Sequence, residues 1–385
     1  MIPLEAQNQS EVCPHGTSEN GQHPGEFPAS AKGWPVHSWV NALDPLRGAA
    51  ALAVVVCHAV QQSGLAWLPV AGPILLWLGA WGVALFFVLS GFCIHLPQAA
   101  CSADERTTDF RRFYRRRARR LLPTHYAALL LSALTGMFVQ TAWITRPTFM
   151  TLATHIFMVH VWTSGFYSIN AVFWTIAVEI QFYICYPVYL WLRSRFGSLG
   201  TVAILFGCGL AIYGVAATLL TGTGRMIGER LFLVSWWEWA LGALLADLYV
   251  KGRRCVLSAP LTFRGAPLFW LISSLLLGSL NPRSTIFHLH WCEWAVAGCC
   301  GALLGSLVVR TVPEWPMLAY VGIFSYSIYL MHPVIFALLV ATPIFARVPQ
   351  VVEVVALIVV GVGGCWFFYL VVERHFVSNR MRQSR

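Results

Sequence analysis

Runs of apolar residues separated by short polar segments follow one another from residue 44 to residue 372. Most of these runs have the length of about 20 residues that an α-helix needs to cross the hydrocarbon core of a bilayer. The pattern predicts an all-α, polytopic membrane protein with ten transmembrane helices. They are placed at residues 44–62, 73–97, 121–142, 171–192, 199–221, 230–250, 267–281, 291–310, 317–342 and 351–372.

The segments outside these runs are short or polar. Residues 148–162 are apolar but too short for a full span, and they predict an interfacial helix or half-span. Residues 1–40 are polar and lack the basic region and apolar core of a signal peptide, so they predict a disordered cytoplasmic tail. The predicted domains are this tail at 1–40, a transmembrane domain at 41–376 and a short cytoplasmic tail at 377–385.

The basic residues are unequally distributed between the two sides of this arrangement. With a cytoplasmic N-terminus, 21 of the 26 Lys and Arg residues fall on the cytoplasmic side. Cytoplasmic loops carry an excess of Lys and Arg, so the count favours an N-in, C-in topology. The sequence therefore predicts a multi-pass protein of the cell membrane.

The composition of the chain excludes several classes of protein. The chain is 57% hydrophobic and 11% charged, whereas soluble domains are about 25% charged. This excludes a soluble enzyme, a secreted scaffold and a disordered protein. The net charge of +10 does not indicate a nucleic-acid partner, because the cations lie between apolar runs. The 11 Cys residues show no metal-ligand spacing and are interpreted as small buried apolar residues.

The first span carries ionisable residues that need an explanation, because burying one at a helix centre costs at least about 2.5–3.5 kcal/mol. Arg47 and His58 are eleven residues apart, so their side chains point the same way, about 16 Å apart along the axis. Asp44 precedes Arg47 by three residues and can pair with it. Arg47 would lie at the cytoplasmic mouth and His58 towards the outer leaflet. His58 is either a hydrogen-bonded structural residue or a general base.

An arginine-rich segment precedes the third span. Eight Arg residues lie between positions 106 and 120, which is more than topology requires. Arg116 and Arg120 are spaced i, i+4, with Arg117 beside them, and guanidinium groups at this spacing suit a phosphate-bearing ligand. A topology anchor and a patch for anionic lipid headgroups are the alternatives.

Polar residues also occur within later spans. Glu179 is about eight residues from the outer end of its span, a depth that it could share with His58. It could orient His58, bind a substrate hydroxyl or form a hydrogen bond that fixes the bundle. His332 lies in the middle of the ninth span. The chain has no GxSxG elbow, so Ser90 is not predicted to be a nucleophile.

Six motifs occur in a fixed order along the chain: LDPLRGAAALAVVVCH, GVALFFVLSGF, RRRARRLLP, FWTIAVEIQFY, SYSIYLMHP and VVERHF. Together they resemble the acyltransferase-3 family of integral membrane acyltransferases, from about residue 41 to residue 376. The resemblance implies an acyl-CoA co-substrate taken from the cytoplasm. In two places the chain departs from the family: Pro45 replaces the usual Gly, which a first helical turn tolerates, and Ile180 stands where a second Glu is frequent.

The resemblance also implies roles for individual residues. Arg47 and His58 match the family's Arg-x10-His pair, Arg116 and Arg120 its Arg-x3-Arg motif, and Trp174 and Glu179 its Trp-x4-Glu motif. Geometry and resemblance together predict that three arginines bind the CoA phosphates: Arg116, Arg117 and Arg120. The residues predicted to take part in catalysis are His58, Glu179, Arg47 and Asp44. Further candidates to line the cavity are Trp174, Gln181, Tyr326 and His332.

In this hypothesis, the pantetheine arm of CoA threads along the helix face from Arg47 to His58. His58 acts as a base on an acceptor hydroxyl or accepts the acyl group itself. Glu179 orients that histidine or the acceptor. No cofactor is bound permanently and no metal is expected.

The sequence does not identify the acceptor of the acyl group. A hydroxyl of a surface polysaccharide or lipid-linked sugar is favoured, with acetyl as the first choice of acyl group. A natural product such as a macrolide is the alternative. A secondary transporter would usually show inverted repeats, which this sequence lacks. A structural membrane protein would not explain the common orientation of Arg47 and His58.

Overall fold

The computed structural model describes residues 36–65, 71–100, 108–250, 266–279, 286–308 and 315–376. Apart from residues 36–40, which begin the first helix, the predicted tails at 1–40 and 377–385 lie outside this range. The described residues confirm an all-α fold, in which the β-type pairing is an isolated bridge between Ile144 and Asn170.

The helices are α1 (Val36–Gln62), α2 (Ala71–Ala100), α3 (Phe110–Phe138), α4 (Phe149–Ile156), α5 (Phe173–Ile184), α6 (Tyr186–Leu219), α7 (Gly222–Glu229), α8 (Phe232–Val250), α9 (Ala266–Ser279), α10 (Ile286–Val308), α11 (Pro316–Ile323), α12 (Ser325–Val340) and α13 (Gln350–Val371). By length and composition, six helical stretches of the described residues could cross a membrane, or seven if α11 and α12 form one span. Two shorter apolar helices, Phe173–Ile184 and Glu293–Val308, accompany them. The count of ten and the N-in, C-in orientation stay predictions.

Several predicted spans are interrupted. The stretch at 171–192 divides at Cys185 between α5 and α6. Gly197 of α6 lies between the predicted spans at 171–192 and 199–221; its φ of 70° and ψ of 171°, which only glycine adopts easily, break the helix there, in agreement with that boundary. The predicted span at 317–342 bends by 72° between α11 and α12. Pro45 lies inside α1 rather than in its first turn, so that part of the prediction is wrong.

Two glycines bring α2 and α8 into backbone contact. A Cβ atom added to Gly91 would collide with the carbonyl oxygen of Trp239, and one added to Gly242 would collide with that of Val88. Small residues allow helices in a membrane to approach this closely. Because Ser90 immediately precedes Gly91, this crossing also fixes the position of Ser90.

A buried carboxylate connects three helices next to this crossing. Asp247 of α8 is 2% exposed and accepts a 2.7 Å hydrogen bond from Nε of Arg193 on α6. It also accepts a bond from the hydroxyl of Ser198, and its Oδ1 lies 3.3 Å from Nε2 of His95 on α2. A buried charge is tolerated when it is paired and hydrogen-bonded in this way. The cluster therefore fixes α2, α6 and α8 relative to one another.

Close contacts also hold α1 between α2 and α11. Gly82 of α2 packs on the carbonyl of Ala50, and Gly322 of α11 packs on the carbonyl of Asp44. The first helix is thereby held with Asp44 and Arg47 beside α2.

Candidate active site

A cavity of about 120 Å³ lies among α1, α2, α3, α5 and α12. A single water needs at least about 10–15 Å³ of such volume and takes about 30 Å³ in the liquid, so the cavity has room for several waters. This size suits the narrow end of an extended ligand rather than a whole nucleotide.

Three guanidinium groups line the cavity: Arg47, Arg117 and Arg120. Nη1 of Arg47 donates to Oδ1 of Asp44 at 2.8 Å, which confirms the predicted pair. Nη2 of the same residue donates to Sγ of Cys93 at 3.1 Å. Guanidinium groups bind phosphate oxygens through several N–H donors at once, so this part of the cavity can bind an anionic ligand.

Residues 110–120 of the arginine-rich segment are helical, as predicted, and form the first turns of α3, which begins before the predicted span at 121–142. Arg116 and Arg120 are therefore four residues apart on one helix. Arg120 lines the cavity together with Arg117, whereas Arg116 lies outside the lining; Arg116 and Arg120 are both exposed. Of the predicted arginine set, the structure brings Arg117 and Arg120 to the cavity, and not Arg116.

Glu179 lines the cavity and is held by two hydroxyl groups. Oγ of Ser90 donates to Oε1 of Glu179 at 2.7 Å, and the hydroxyl of Tyr183 donates to the same oxygen. Tyr183 follows Glu179 by one helical turn on α5, so helix geometry brings them together. Three roles were open for Glu179; pairing with His58 is not among its described contacts, and the bonds from Ser90 of α2 and Tyr183 match a hydrogen bond that fixes the bundle.

The partner of His58 is His332, which is 274 residues away in the sequence. Nδ1 of His58 lies 2.7 Å from Nε2 of His332. Nδ1 of His332 lies 2.8 Å from the carbonyl oxygen of Ile328, one turn earlier on α12. The two bonds form a chain from a backbone carbonyl through both imidazole rings, here called the histidine relay.

The histidine relay determines where the protons of the two neutral rings lie. A carbonyl only accepts, so Nδ1 of His332 donates to Ile328 and its Nε2 is an acceptor. Nδ1 of His58 must then donate to that acceptor. Nε2 of His58 therefore carries a lone pair, which is what a general base requires.

The connection between α3 and α5, a loop over residues 139–172 that contains α4, holds Trp143 against His58. The ring of Trp143 stacks on the His58 ring, with centroids 4.0 Å apart. The carbonyl of Trp143 accepts from the backbone N–H of Ala171 at 2.9 Å. Asn170 donates to Oγ of Ser132 on α3 and to the carbonyl of Leu330 on α12, both at 3.0 Å. The loop thus fixes Trp143 relative to the helices that carry the site.

Backbone strain accompanies this loop. Ile169 has φ 61°, an unfavourable conformation for a β-branched residue. Its N–H donates to Oγ1 of Thr145 at 2.8 Å, and its carbonyl accepts from the N–H of Thr145 at 3.2 Å. Such strain persists only where neighbouring bonds hold it, and it concentrates at functional sites.

The cavity does not extend to the histidine relay. Its lining includes Thr175 and Tyr329 but neither His58 nor His332. The Tyr329 ring packs edge-on to His332, with centroids 6.4 Å apart. The cavity therefore ends at Tyr329, short of His58, and the path from Arg47 to His58 stays a prediction.

The four residues predicted to line the cavity differ in where the structure places them. Tyr326 lines the cavity, and His332 lies behind Tyr329 in the histidine relay. Trp174 and Gln181 do not line the cavity: the Trp174 ring packs under Arg230, whose Cζ lies 5.4 Å from its centroid, and Gln181 is buried. In the described part of the chain, no group of three or more His, Cys, Asp or Glu residues could hold a metal ion.

Sequence reasoning did not predict the roles of Ser90, Thr175, Tyr183 and Tyr329. Tyr183 could have been found from its i, i+4 spacing to Glu179, and Tyr329 from its i, i+3 spacing to His332. Ser90 and Thr175 gave no such signal, because their partners lie on other helices.

The chain is similar to known proteins over most of its length. The family model described as "Acyltransferase domain" matches residues 40–370. The chain is 24% identical over 360 residues to "Putative peptidoglycan O-acetyltransferase YrhL" of Bacillus subtilis (strain 168), covering 80% of this chain and 50% of that protein. It is 32% identical over 325 residues to "Acyltransferase MdmB" of Streptomyces mycarofaciens, and the match covers 76% of this chain and 77% of that protein. The chain thus spans half the length of YrhL. No solved structure matches this chain.

Proposed function

Because this chain belongs to the acyltransferase domain family, we propose that it is a membrane O-acyltransferase that transfers an acetyl group from cytoplasmic acetyl-CoA to a sugar hydroxyl. The observation that carries the proposal is the pairing of an arginine-lined cavity with the histidine relay, whose free Nε2 can accept a proton. The name of YrhL supports acetyl as the acyl group and a cell-surface sugar polymer as the acceptor.

In the proposed donor site, Arg117 and Arg120 bind the CoA phosphates near the membrane surface. The narrow acyl-pantetheine end of the donor then occupies the cavity, whose volume suits it. Glu179, held by Ser90 and Tyr183, lies along this cavity and positions polar groups of the donor arm. Arg47, fixed by Asp44, contributes a further cationic group to the lining.

In the proposed chemical step, the acceptor hydroxyl attacks the thioester carbonyl carbon while Nε2 of His58 takes its proton. The new C–O bond forms, the C–S bond breaks, and the proton passes to the CoA thiolate. While His58 is protonated, its Nδ1–H donates to His332, which stabilises the imidazolium. A route through an acyl group on Nε2 of His58 uses the same nitrogen, and rapid quenching followed by mass spectrometry of the protein distinguishes the two.

The acceptor class can be tested in cells. We expect surface glycans to lose an acetyl mass when the gene is deleted and to regain it with the wild-type gene. A variant with His58→Ala should restore the protein in the membrane but not the acetyl mass. An unchanged glycan profile after deletion would contradict a glycan acceptor, and loss of acetyl from a small natural product would favour that acceptor instead.

The donor site can be tested with purified protein in nanodiscs. We expect Arg120→Ala to weaken acetyl-CoA binding about tenfold or more, because a charge-assisted hydrogen bond is worth roughly 1.5–3 kcal/mol. Arg119→Ala is the matched control, since Arg119 is an exposed neighbour outside the cavity lining. Arg116→Ala should have a smaller effect than Arg120→Ala. Equal dissociation constants for wild type and Arg120→Ala would contradict the proposed donor site.

A further inference from the structure

A pair of hydroxyl groups closes the end of the cavity. The hydroxyl of Tyr329 on α12 lies 2.8 Å from Oγ1 of Thr175 on α5. Oγ1 of Thr175 also lies 3.1 Å from the carbonyl oxygen of Val172. Oγ1 of Thr175 donates to the hydroxyl of Tyr329, and the carbonyl of Val172 is a second acceptor within reach of the same Thr175 hydroxyl. The phenol of Tyr329 is therefore fixed to the first turn of α5.

Tyr329 lies between the cavity and the histidine relay. On one side its ring packs edge-on to Phe86, a cavity residue, with centroids 5.8 Å apart. On the other side it packs edge-on to His332 at 6.4 Å. Tyr329 is 6% exposed and Thr175 is 5% exposed, so little space remains around the pair. Tyr329 thus contacts both the lining of the cavity and His332, the ring that hydrogen-bonds the base His58.

We propose that Tyr329 and Thr175 are specificity-determining residues that keep the donor thioester away from water near His58, so that the acyl group goes to the acceptor and not to water. This inference rests on the proposed function. Water and a sugar hydroxyl are similar nucleophiles, and a site that activates one activates the other. A pocket discriminates poorly against a smaller competitor by contacts alone, so a physical separation is needed.

The side reaction that this pair limits is hydrolysis of the thioester. The water oxygen attacks the carbonyl carbon, a C–O bond forms and the C–S bond breaks. One water proton passes by way of Nε2 of His58 to the CoA thiolate, so the products are acetic acid and CoA. Productive transfer requires the Tyr329 side chain to leave Thr175, which breaks one hydrogen bond between neutral groups.

The test measures hydrolysis of acetyl-CoA by the full-length protein in nanodiscs without any acceptor. Free CoA and acetate are quantified by liquid chromatography and mass spectrometry. We expect Tyr329→Ala to raise the hydrolysis rate about fivefold or more, because the variant lacks the phenol side chain that keeps water from the thioester. Thr175→Val keeps the side-chain shape and loses only the hydrogen bond, so its increase should be about twofold.

Two further variants make the test specific. In the double variant His58→Ala/Tyr329→Ala, the hydrolysis rate should return to the wild-type value, since the base is lost. Tyr320→Phe is the matched control: it removes a phenol hydroxyl that accepts from Trp366 at 2.7 Å and that lies outside the cavity lining. Its hydrolysis rate should equal that of wild type.

Several results would overturn the proposal. One is a Tyr329→Ala protein that binds acetyl-CoA as wild type does but hydrolyses it no faster. Another is accelerated hydrolysis that persists without His58. If Tyr329→Ala does not fold, the hydrolysis rate of Tyr329→Phe is measured in its place, and it should equal the rate of Thr175→Val. A wild-type protein that neither binds nor consumes acetyl-CoA would overturn the proposed function as well, whereas normal binding without accelerated hydrolysis overturns this inference alone.

Discussion

Two pairs of histidines in this molecule are built in opposite ways. His58 and His332 meet through their ring nitrogens, 2.7 Å apart. His155 and His160 stack face to face, with centroids 3.8 Å apart and ring planes within 6°. The first pair is connected to a backbone carbonyl and includes the half-buried His58. Both rings of the second pair are completely buried.

This difference separates a pair that can act in catalysis from one that packs. In the histidine relay, hydrogen bonds fix both protons and leave one nitrogen lone pair on a half-buried ring. In the stacked pair, burial lowers the pKa of His155 to about 4 and that of His160 to about 2, because a desolvated imidazole disfavours its charged form. The stacked rings therefore stay neutral at physiological pH and supply apolar contact.

The largest expected effect comes from removing the base of the histidine relay. His58→Ala should lower acetyl transfer about 10²–10⁴-fold, the range expected for loss of a general base. Transfer is measured with radiolabelled acetyl-CoA, and folding by gel filtration and thermal unfolding. A folded His58→Ala protein with full activity would contradict the role of His58 as general base. It would also contradict the proposed functional difference between the two histidine pairs.

A smaller effect is expected from His332, which positions His58 rather than touching substrate. His332→Phe leaves Nδ1 of His58 without an acceptor, so the wrong tautomer becomes populated and kcat should fall about 10–100-fold, with KM nearly unchanged. In His332→Gln the amide oxygen can accept from Nδ1 of His58, so much of the activity should return. Equal activity of the Phe and Gln variants would argue that His332 acts through packing alone.

A substitution of Trp143 should lower kcat less than a substitution of His58 or His332. Trp143→Phe keeps an aromatic ring at the stacking position with less contact area, and we expect kcat to fall about two- to fivefold. The steady-state rate at saturating acetyl-CoA is the measurement. A loss as large as that of His332→Phe would mean that the stack, rather than the hydrogen bond, orients His58.

The stacked pair should affect stability at acid pH and not activity at neutral pH. Unfolded imidazoles bind protons below about pH 6.5, whereas the native rings resist protonation. Stability should therefore fall as pH decreases from 6.5, by about 3 kcal/mol at pH 4 for His155. His155→Phe should reduce the pH dependence of Tm between pH 6.5 and 4, with His160 still contributing, and change transfer at pH 7 less than about twofold. An unchanged pH dependence would contradict the assignment of the titration to this ring.

Local patterns in the sequence predicted several features correctly. The pair of Asp44 and Arg47 follows from i, i+3 spacing on one helix, and the helical arginine segment from its position before the third span. The all-α fold follows from the apolar runs. In each case the partners are neighbours on one element, so helix geometry alone determines the contact.

Contacts between distant elements could not be predicted in the same way. His58 and His332 meet because α1 packs on α12, and nothing local to either residue specifies that packing. The predicted shared depth of Glu179 and His58 came from counting residues along one straight span. That shared depth stays a prediction; the described partners of Glu179 are Ser90, which lies on another helix, and Tyr183. The 72° bend between α11 and α12 likewise changes how the ninth span enters the bundle.

The position of Tyr329 on α12 has a mechanical consequence. Tyr329 and His332 are one turn apart on the same rigid helix, so any tilt or rotation of that helix displaces both. A whole-helix movement large enough to free the phenol would also pull His332 off His58 and leave the base misaligned at the moment it is needed. Rotation of the Tyr329 side chain about χ1 avoids this conflict, because it leaves the backbone of α12, and with it the bond from His332 to Ile328, in place.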